Sequence, residues 1–375
     1  MEFRLLGSLV ERKIGYGIVQ PGQSVDGGVP VIKVNNLIAG LTSVKNLDTT
    51  SAETAAKYSR TKLRGGELIV SVVGTIGRTA IVPASFAGCN LVRATALIDI
   101  PEQWLSYWVK YYIDSPAGQA YIDQNLNTTV QPTLNIKSLV EMPIPFFEES
   151  IMKKTVAFLK AIDDKIANNN QINDNLQQQV YALFDSWFVS FDQTDGKMPA
   201  DWREGTLGEI TTITSGKRPP MKQPTATTEV SIPLVGAASI MGFTNAVLYS
   251  EPILVTGRVG THGVVQRFQS PCWTSDNTLV IKSEFYEYAF QALQRVDYVN
   301  MNRGSTQPLI TQTDLKNVSI VIPTEAILLE YEKIAGTLMA MYESNRKENE
   351  RLAILRDTLL PRLMNGEIDV SNIEI

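Results

Sequence analysis

The chain has 375 residues and a mass of 41.5 kDa, more than one ordinary hydrophobic core can serve, so two or more domains are expected. A hydrophobic fraction of 44% and a mean hydropathy of −0.04 fit a soluble globular protein, and no apolar run approaches membrane-spanning length. A net charge of −5, two cysteines and one histidine exclude a disulfide framework and leave no nitrogen and sulfur set for zinc, which leans away from an enzyme.

Taken in chain order, residues 1–147 are rich in Val, Ile, Thr, Gly and Pro. Short runs such as Leu68-Ile69-Val70-Ser71-Val72-Val73 are punctuated by Pro21-Gly22, Gly27-Gly28 and Gly65-Gly66, the pattern of strands and turns. The opening Met1-Glu2-Phe3-Arg4-Leu5 has no basic stretch followed by an apolar one, so no secretory signal is expected and the compartment is read as cytoplasmic. Residues 148–191 then carry helical spacing: Leu159, Ile162, Ile166, Leu176, Val180, Leu183 and Trp187 form a 3-4 seam, with Asn169 and Asn173 holding the register between. Residues 192–323 comprise a linker and a second β-rich domain. Residues 324–364 repeat the helix, with Tyr331, Ile334, Leu338, Met341, Asn345, Leu352, Leu355 and Leu359 as its seam. Residues 365–375 form a tail. A helix of about 40 residues spans about 60 Å and cannot bury such a stripe alone. The two are expected to pair antiparallel as a coiled coil, with Leu176 and Leu352 in one layer or neighbouring ones. The fold class is α+β.

The second half restates the first. Gly74, Gly77, Val82, Cys89 and Ile98 match Gly257, Gly260, Val265, Cys272 and Ile281 at an offset of 183. Upstream, Leu6-Gly7 and Gly15 match Leu207-Gly208 and Gly216 at 201. Downstream, Val130-Gln131-Pro132 and Leu139 match Thr306-Gln307-Pro308 and Leu315 at 176, as do Ile162 and Leu338, Leu176 and Leu352, and Leu183 and Leu359. Ordered matches mark an internal duplication with pseudo-two-fold symmetry, the first copy carrying about 25 extra residues. Such symmetry places Met1 near Ile375 and packs Ile368 of the tail on the first domain.

The charge divides unevenly: residues 1–147 and 197–323 carry +2 and +1, while residues 148–196 and 324–375 carry −4 each. Contact with phosphate needs Lys and Arg, so basic surface is confined to the β-rich domains. Candidate phosphate contacts are Lys57, Arg60, Lys62 and Arg64 in the first domain and Lys217, Arg218 and Lys222 in the second. Arg78 and Arg258 in the duplicated glycine motif join them, with Arg267. The plain reading of each basic run alone is a solvated loop or helix face, and of the glycine motif alone a tight strand turn with no ligand. His262 is read as a loop histidine, and Cys89 and Cys272 as matching core positions. No Asn/Asp-Pro-Pro-Tyr/Phe tetrapeptide, nucleotide-binding glycine loop or nuclease-type acidic cluster is present, so no cofactor and no metal are expected.

The close Leu359-Leu360-Pro361-Arg362-Leu363-Met364-Asn365-Gly366-Glu367-Ile368-Asp369-Val370 resembles the C-terminal signature of the specificity subunits of type I restriction–modification systems. Met198-Pro199 leading to Trp202, Leu207-Gly208, Gly216, Thr306-Gln307-Pro308 and Asp163-Asp164-Lys165-Ile166 extend the likeness over the whole chain. The resemblance implies a non-catalytic subunit with two target-recognition domains, each reading half of a gapped site in double-stranded DNA. The paired helices would set the spacing and dock two methyltransferase subunits, with restriction and translocase subunits joining, and no membrane involved. A coiled-coil scaffold binding protein or glycan, and a degenerate fused methyltransferase, are the alternatives. The first leaves the basic domains unexplained and the second the duplication.

Overall fold

The computed structural model describes residues 2–45, 47–127, 132–261, 263–301, 309–368 and 370. The chain divides into two compact units, Met1–Asn168 with Lys347–Ile375, and Asn169–Arg346, so each unit joins one β-rich segment to part of both long helices. Among the described residues no helix is long and apolar enough to cross a membrane.

In the first unit a four-stranded sheet runs Arg12–Tyr16, Thr95–Asp99, Leu68–Ser71, Thr79–Ile81, each pair antiparallel. A three-stranded sheet of Thr49–Thr50, Val29–Ile32 and Asn90–Leu91 lies beside it. Strand alternation sends Leu68, Val70, Ala96 and Ile98 into a core with Trp108, Val109 and Leu159, while Ile69 and Leu97 join Ile32, Phe86, Cys89 and Leu91. Both faces of Leu68–Ser71 are thus covered, and all four of its residues are buried. The helix Gln103–Asp114 closes the first face, and Glu2–Leu5 pairs with Pro143–Phe146 at the approach to the long helix.

The second unit repeats this order strand for strand: Thr212–Ser215, Thr278–Lys282, Ile253–Gly257, Gln266–Phe268, with Ile240–Thr244, Ile232–Val235 and Trp273–Thr274 beside them. Leu254, Leu279 and Ile281 face the helix Tyr286–Gln294, while Val255, Val280 and Cys272 take the other side. Cys89 and Cys272 therefore occupy matching core positions as expected, and burial pushes the Cys272 thiol up to about 11.

The long helices are Glu149–Phe188 and Glu325–Met364. Within each unit they run antiparallel. In the first, Asp163 meets Arg356 and Lys165 meets Glu348; in the second, Asn173 meets Asn345 and Phe184 meets Tyr331. On the first helix Leu159, Ile162, Asn169, Asn173, Leu176 and Val180 are buried and Ile166 and Leu183 half-buried. Asn345 donates to Asn173 Oδ1 at 3.0 Å, and Asn173 donates to the Tyr342 carbonyl at 3.2 Å, which pairs the second asparagine of the seam's polar break across the two helices. Phe184 and Phe188, absent from the expected seam, are more deeply buried than Leu183.

The second helix is rotated from the expected phase. Leu328, Tyr331, Ala335 and Met339 are buried, with Leu338, Leu352 and Leu359 half-buried, but Leu355 is 44% exposed and Met341 51%. Arg356 occupies the inward position opposite Asp163, and one residue turns a helix by about 100°, which carries Leu355 outward. Leu176 and Leu352, expected to share or neighbour a layer, belong to different units.

Candidate nucleic-acid interface

Each four-stranded sheet ends in a turn closed by glycine. In the first unit Ser71 Oγ donates to the Thr75 carbonyl at 2.6 Å and accepts from Arg78 N at 2.8 Å, while Gly77 N donates to the Ser71 carbonyl at 2.9 Å. Gly74 and Gly77 stand at φ of 80° and 81°, where side chains are strained, and a Cβ on Gly77 would lie 2.8 Å from the Gln119 amide. Val73 bridges Thr133, and Leu134 N donates to the Val72 carbonyl.

The same turn recurs in the second unit, three residues further along than the sequence match implies. Gly260 and Gly263 have φ of 84° and 82°, Val259 bridges Leu309, and Ile310 N donates to the Arg258 carbonyl. Gly74 therefore corresponds to Gly260 and Gly77 to Gly263, and Val82 to Phe268. Gly257 takes the place of Ser71, where a Cβ would lie 1.9 Å from the Thr261 carbonyl. The three extra residues lie between Val82 and Cys89, which restores the offset of 183 at the cysteines. Likewise Gly17, not Gly15, matches Gly216. Gly17 N donates to the Thr95 carbonyl and Gly216 N to the Thr278 carbonyl, and a Cβ would lie 2.2 Å from the Leu91 carbonyl on the first and 2.1 Å from the Ser275 carbonyl on the second. Val130-Gln131 of the first step, the whole of Thr306-Gln307-Pro308, and His262 lie outside the described residues.

The basic residues do not all gather there. At the glycine end stand exposed Arg78 and, in the turn after Leu91, exposed Arg93, which the sequence reading missed. In the second unit Lys217 N donates to the Thr274 carbonyl, Trp273 Nε1 to the Lys217 carbonyl at 2.8 Å, and Arg258 N to the Asn277 carbonyl. Lys217, Arg218 and half-buried Arg258 thus share the glycine end, and exposed Lys222 continues the same loop.

Arg60, Lys62 and Arg64 lie at the opposite end of the first unit's sheet, beside Arg12 and Asp99. Lys57 is exposed and paired with Glu53 at 2.9 Å. Arg267 does not reach solvent: its guanidinium forks the Glu287 carboxylate, lies over the Tyr286 and Phe290 rings, and its side chain is 8% exposed. The expectation that Arg267 contacts DNA is therefore withdrawn, because burial and the carboxylate partner take up its charge.

A cleft of about 770 Å³ lies between the first unit's glycine turn and its helices, lined by Thr75, Arg78, Lys110, Asp114, Gln119 and Arg356 among others. Asp163 ties it together, accepting from Tyr111 Oη at 2.9 Å and from Arg356 Nη1 at 2.8 Å, with Lys110 Nζ at 3.8 Å. Burial pulls the Lys110 ammonium down, but Asp114 and Asp163 outweigh it and its pKa is raised; burial and then Asp163 raise that of Tyr111.

In the second unit Glu332 accepts the backbone N–H groups of Glu287 and Tyr288 at 3.0 and 2.8 Å, at the start of the helix Tyr286–Gln294. Burial lifts its carboxyl to about 7, against lowering by those two N–H groups; nearby Glu287 raises it and Arg267 lowers it. A raised folded pKa stabilises below the unfolded value and is lost as pH climbs through about 7. The second unit should be about 1–3 kcal/mol more stable near pH 5 than near pH 8. Glu332→Gln should flatten that difference in urea unfolding midpoints, and an unchanged difference would place its origin elsewhere.

The profile of the family described as "Type I restriction modification DNA specificity domain" matches residues 1–178 and 199–355. The MjaIX type I restriction enzyme specificity subunit of Methanocaldococcus jannaschii is 23% identical over 305 residues, covering 72% of this chain and 70% of that protein. The EcoBI specificity subunit of Escherichia coli is 28% identical over 202 residues, covering 52% of this chain and 40% of that protein. The crystal structure of a type I restriction–modification S subunit from M. genitalium superposes with a TM-score of 0.60 at 16% identity, over 96% of this chain and 95% of that one, and so shares the fold.

Proposed function

The chain belongs to the type I restriction–modification DNA specificity family, and from that premise we propose that it is the address-reading, non-catalytic subunit of a restriction–modification complex acting in the cytoplasm. Residues 1–147 and 192–323 serve as two target-recognition domains, each reading one half of a gapped site in double-stranded DNA. The helices of residues 148–191 and 324–364 set the spacing and dock two methyltransferase subunits, which restriction subunits join. Residues 365–375 belong functionally to the first domain.

The observation that carries this reading is the family match to both halves, each of which ends its sheet in the same glycine turn with cations beside it. Rigid turns between strands hold side chains where base edges can be met, while Arg and Lys beside them meet phosphates. The loops differ between the halves, so the two half-sites should differ.

Two variants test it: Arg78→Ala with Arg93→Ala, and Lys217→Ala with Arg218→Ala. Each should weaken binding to random duplex DNA and lower the salt slope by about one unit per lost phosphate contact. Methylome sequencing of a host carrying the chain and its methyltransferase should show a bipartite motif. Replacing residues 192–323 by another such domain should rewrite one half of that motif. A salt-independent affinity, or a motif rewritten in both halves, would defeat the reading.

A further inference from the structure

The basic loop at the far end of the first unit's sheet is held by a device with no counterpart in the second unit. Arg12 is its hub. The guanidinium donates to the Asp99 carboxylate, to Glu67 Oε1 at 2.6 Å, and to the carbonyls of Lys62 and Arg60 at 2.8 and 3.3 Å. Glu67, 2% exposed, accepts Arg64 N at 2.7 Å and Gly65 N at 2.8 Å with its two oxygens. One arginine and one buried carboxylate thus fix the backbone at residues 60, 62, 64 and 65.

What this bracing presents is a cleft of about 360 Å³ lined by Arg12, Ser59, Arg60, Lys62, Leu63 and Arg64. Arg12 already gives four of its five N–H groups to protein acceptors. Arg64 has only distant acids, Glu11 at 3.7 Å and Asp99 at 3.9 Å. Arg60 and Lys62 are exposed, and among the described residues no acidic group lies within ion-pair distance of either. A solvated loop has no need of a four-acceptor brace anchored on a buried carboxylate, and long cationic side chains lose less entropy on binding an anion when their backbone is already fixed.

We infer that this cleft binds a phosphodiester of the DNA duplex flanking the first half-site, with Arg60, Lys62 and Arg64 as its ligands and Arg12 as the positioning residue. This rests on the DNA-reading function proposed above. The strand Thr95–Asp99 connects the glycine end to the cleft, and its four steps of about 3.3 Å cover about 13 Å. That matches the roughly 12 Å between the two backbones bordering a major groove. In the second unit Ile253 stands where Glu67 does and Lys282 where Asp99 does, so the phosphate clamp belongs to one half only.

The test measures binding of the full chain to random-sequence duplex DNA, from about 50 to 200 mM salt. Arg60→Ala, Lys62→Ala and Arg64→Ala together should reduce the salt slope by about one to two units and weaken all sequences about tenfold. Arg12→Lys keeps the charge but cannot serve four acceptors in a plane, and should lose about half of that slope with the unfolding midpoint recorded alongside. On a duplex carrying the bipartite motif found by methylome sequencing, a scan of neutral methylphosphonate linkages should reveal one position flanking the first half-site that matters to the wild type and not to the triple variant. An unchanged slope in the triple variant, with a reduced slope in Arg78→Ala and Arg93→Ala, returns the cleft to solvated surface and leaves DNA reading intact. Slopes unmoved by either set overturn both.

Discussion

Asp163→Ala is expected to destabilise the first unit by about 2–4 kcal/mol, seen as a lower midpoint for that unit in urea unfolding. Its carboxylate is shared by Tyr111, Arg356 and Lys110, whose side chains are largely withdrawn from water. Removing it leaves two cations facing each other with only Asp114 and Asp357 to balance them. Asp163→Asn retains an acceptor for the Tyr111 hydroxyl and should lose about half as much. The duplication supplies the control. At the offset of 176, Asp163 corresponds to Met339 and Arg356 to Val180, both buried in the second unit. Asp163→Met combined with Arg356→Val therefore transplants a pair this fold already accommodates, and should recover most of the single-substitution loss, since a well-packed apolar pair often equals an ion pair. A single variant within about 0.5 kcal/mol of wild type would show that the network carries little of the unit's stability.

The sequence revealed the duplication, the order of domains and the first helix's seam, because each leaves a local or periodic trace. Asn169 and Asn173 sit in phase with the apolar residues around them, so one register satisfied the pattern. On the second helix Leu352, Ile354 and Leu355 offered two competing phases, and only the Arg356–Asp163 pair, 193 positions apart in sequence, decides between them. The glycine match failed by three residues for a related reason. Residue identity aligned Gly74 with Gly257, whereas backbone conformation aligns Gly74 with Gly260, and φ is not written in the residue type. Arg12, Glu67 and Asp99 were invisible as a group, since three residues spread over 88 positions share no local spacing. Arg267 misled because basic character was read without strand position. Its neighbours Gln266 and Phe268 already marked it as part of a strand, where half the side chains turn inward.

Deleting residues 366–375 should destabilise the first unit by about 2–4 kcal/mol and damage reading of the first half-site while sparing the second. The second long helix ends in a Schellman arrangement: Gly366 at φ of 71° donates to the Leu363 carbonyl at 3.2 Å, and Glu367 N to the Arg362 carbonyl at 2.9 Å. This turn redirects the chain onto the unit's own core. Val370 is fully buried with Leu360, Leu363 and Met364, and Ile368 packs against the same cluster. A Cβ on Gly366 would lie 2.9 Å from the Phe147 ring, next to the strand Pro143–Phe146 that pairs with Glu2–Leu5. The tail thus reaches the strand pair through which the N-terminal segment joins this unit. In the second unit a continuous linker does the corresponding work, bringing Trp202 against Phe188 at 5.6 Å just before the strand Arg203–Thr206 pairs with Ser319–Ile322. Met1 and residues 371–375 lie outside the described residues, so the closeness of the two termini is left to experiment, by joining Ile375 to Met1 through a short linker and opening the chain between residues 192 and 201. Such a permutant should fold and read both half-sites. Val370→Asp isolates the packing: it should reproduce most of the deletion's stability loss, because a carboxylate has no partner in that core. A deletion that leaves the first unit's unfolding midpoint unchanged, or that weakens both half-sites equally, would disprove the assignment of the tail to the first domain.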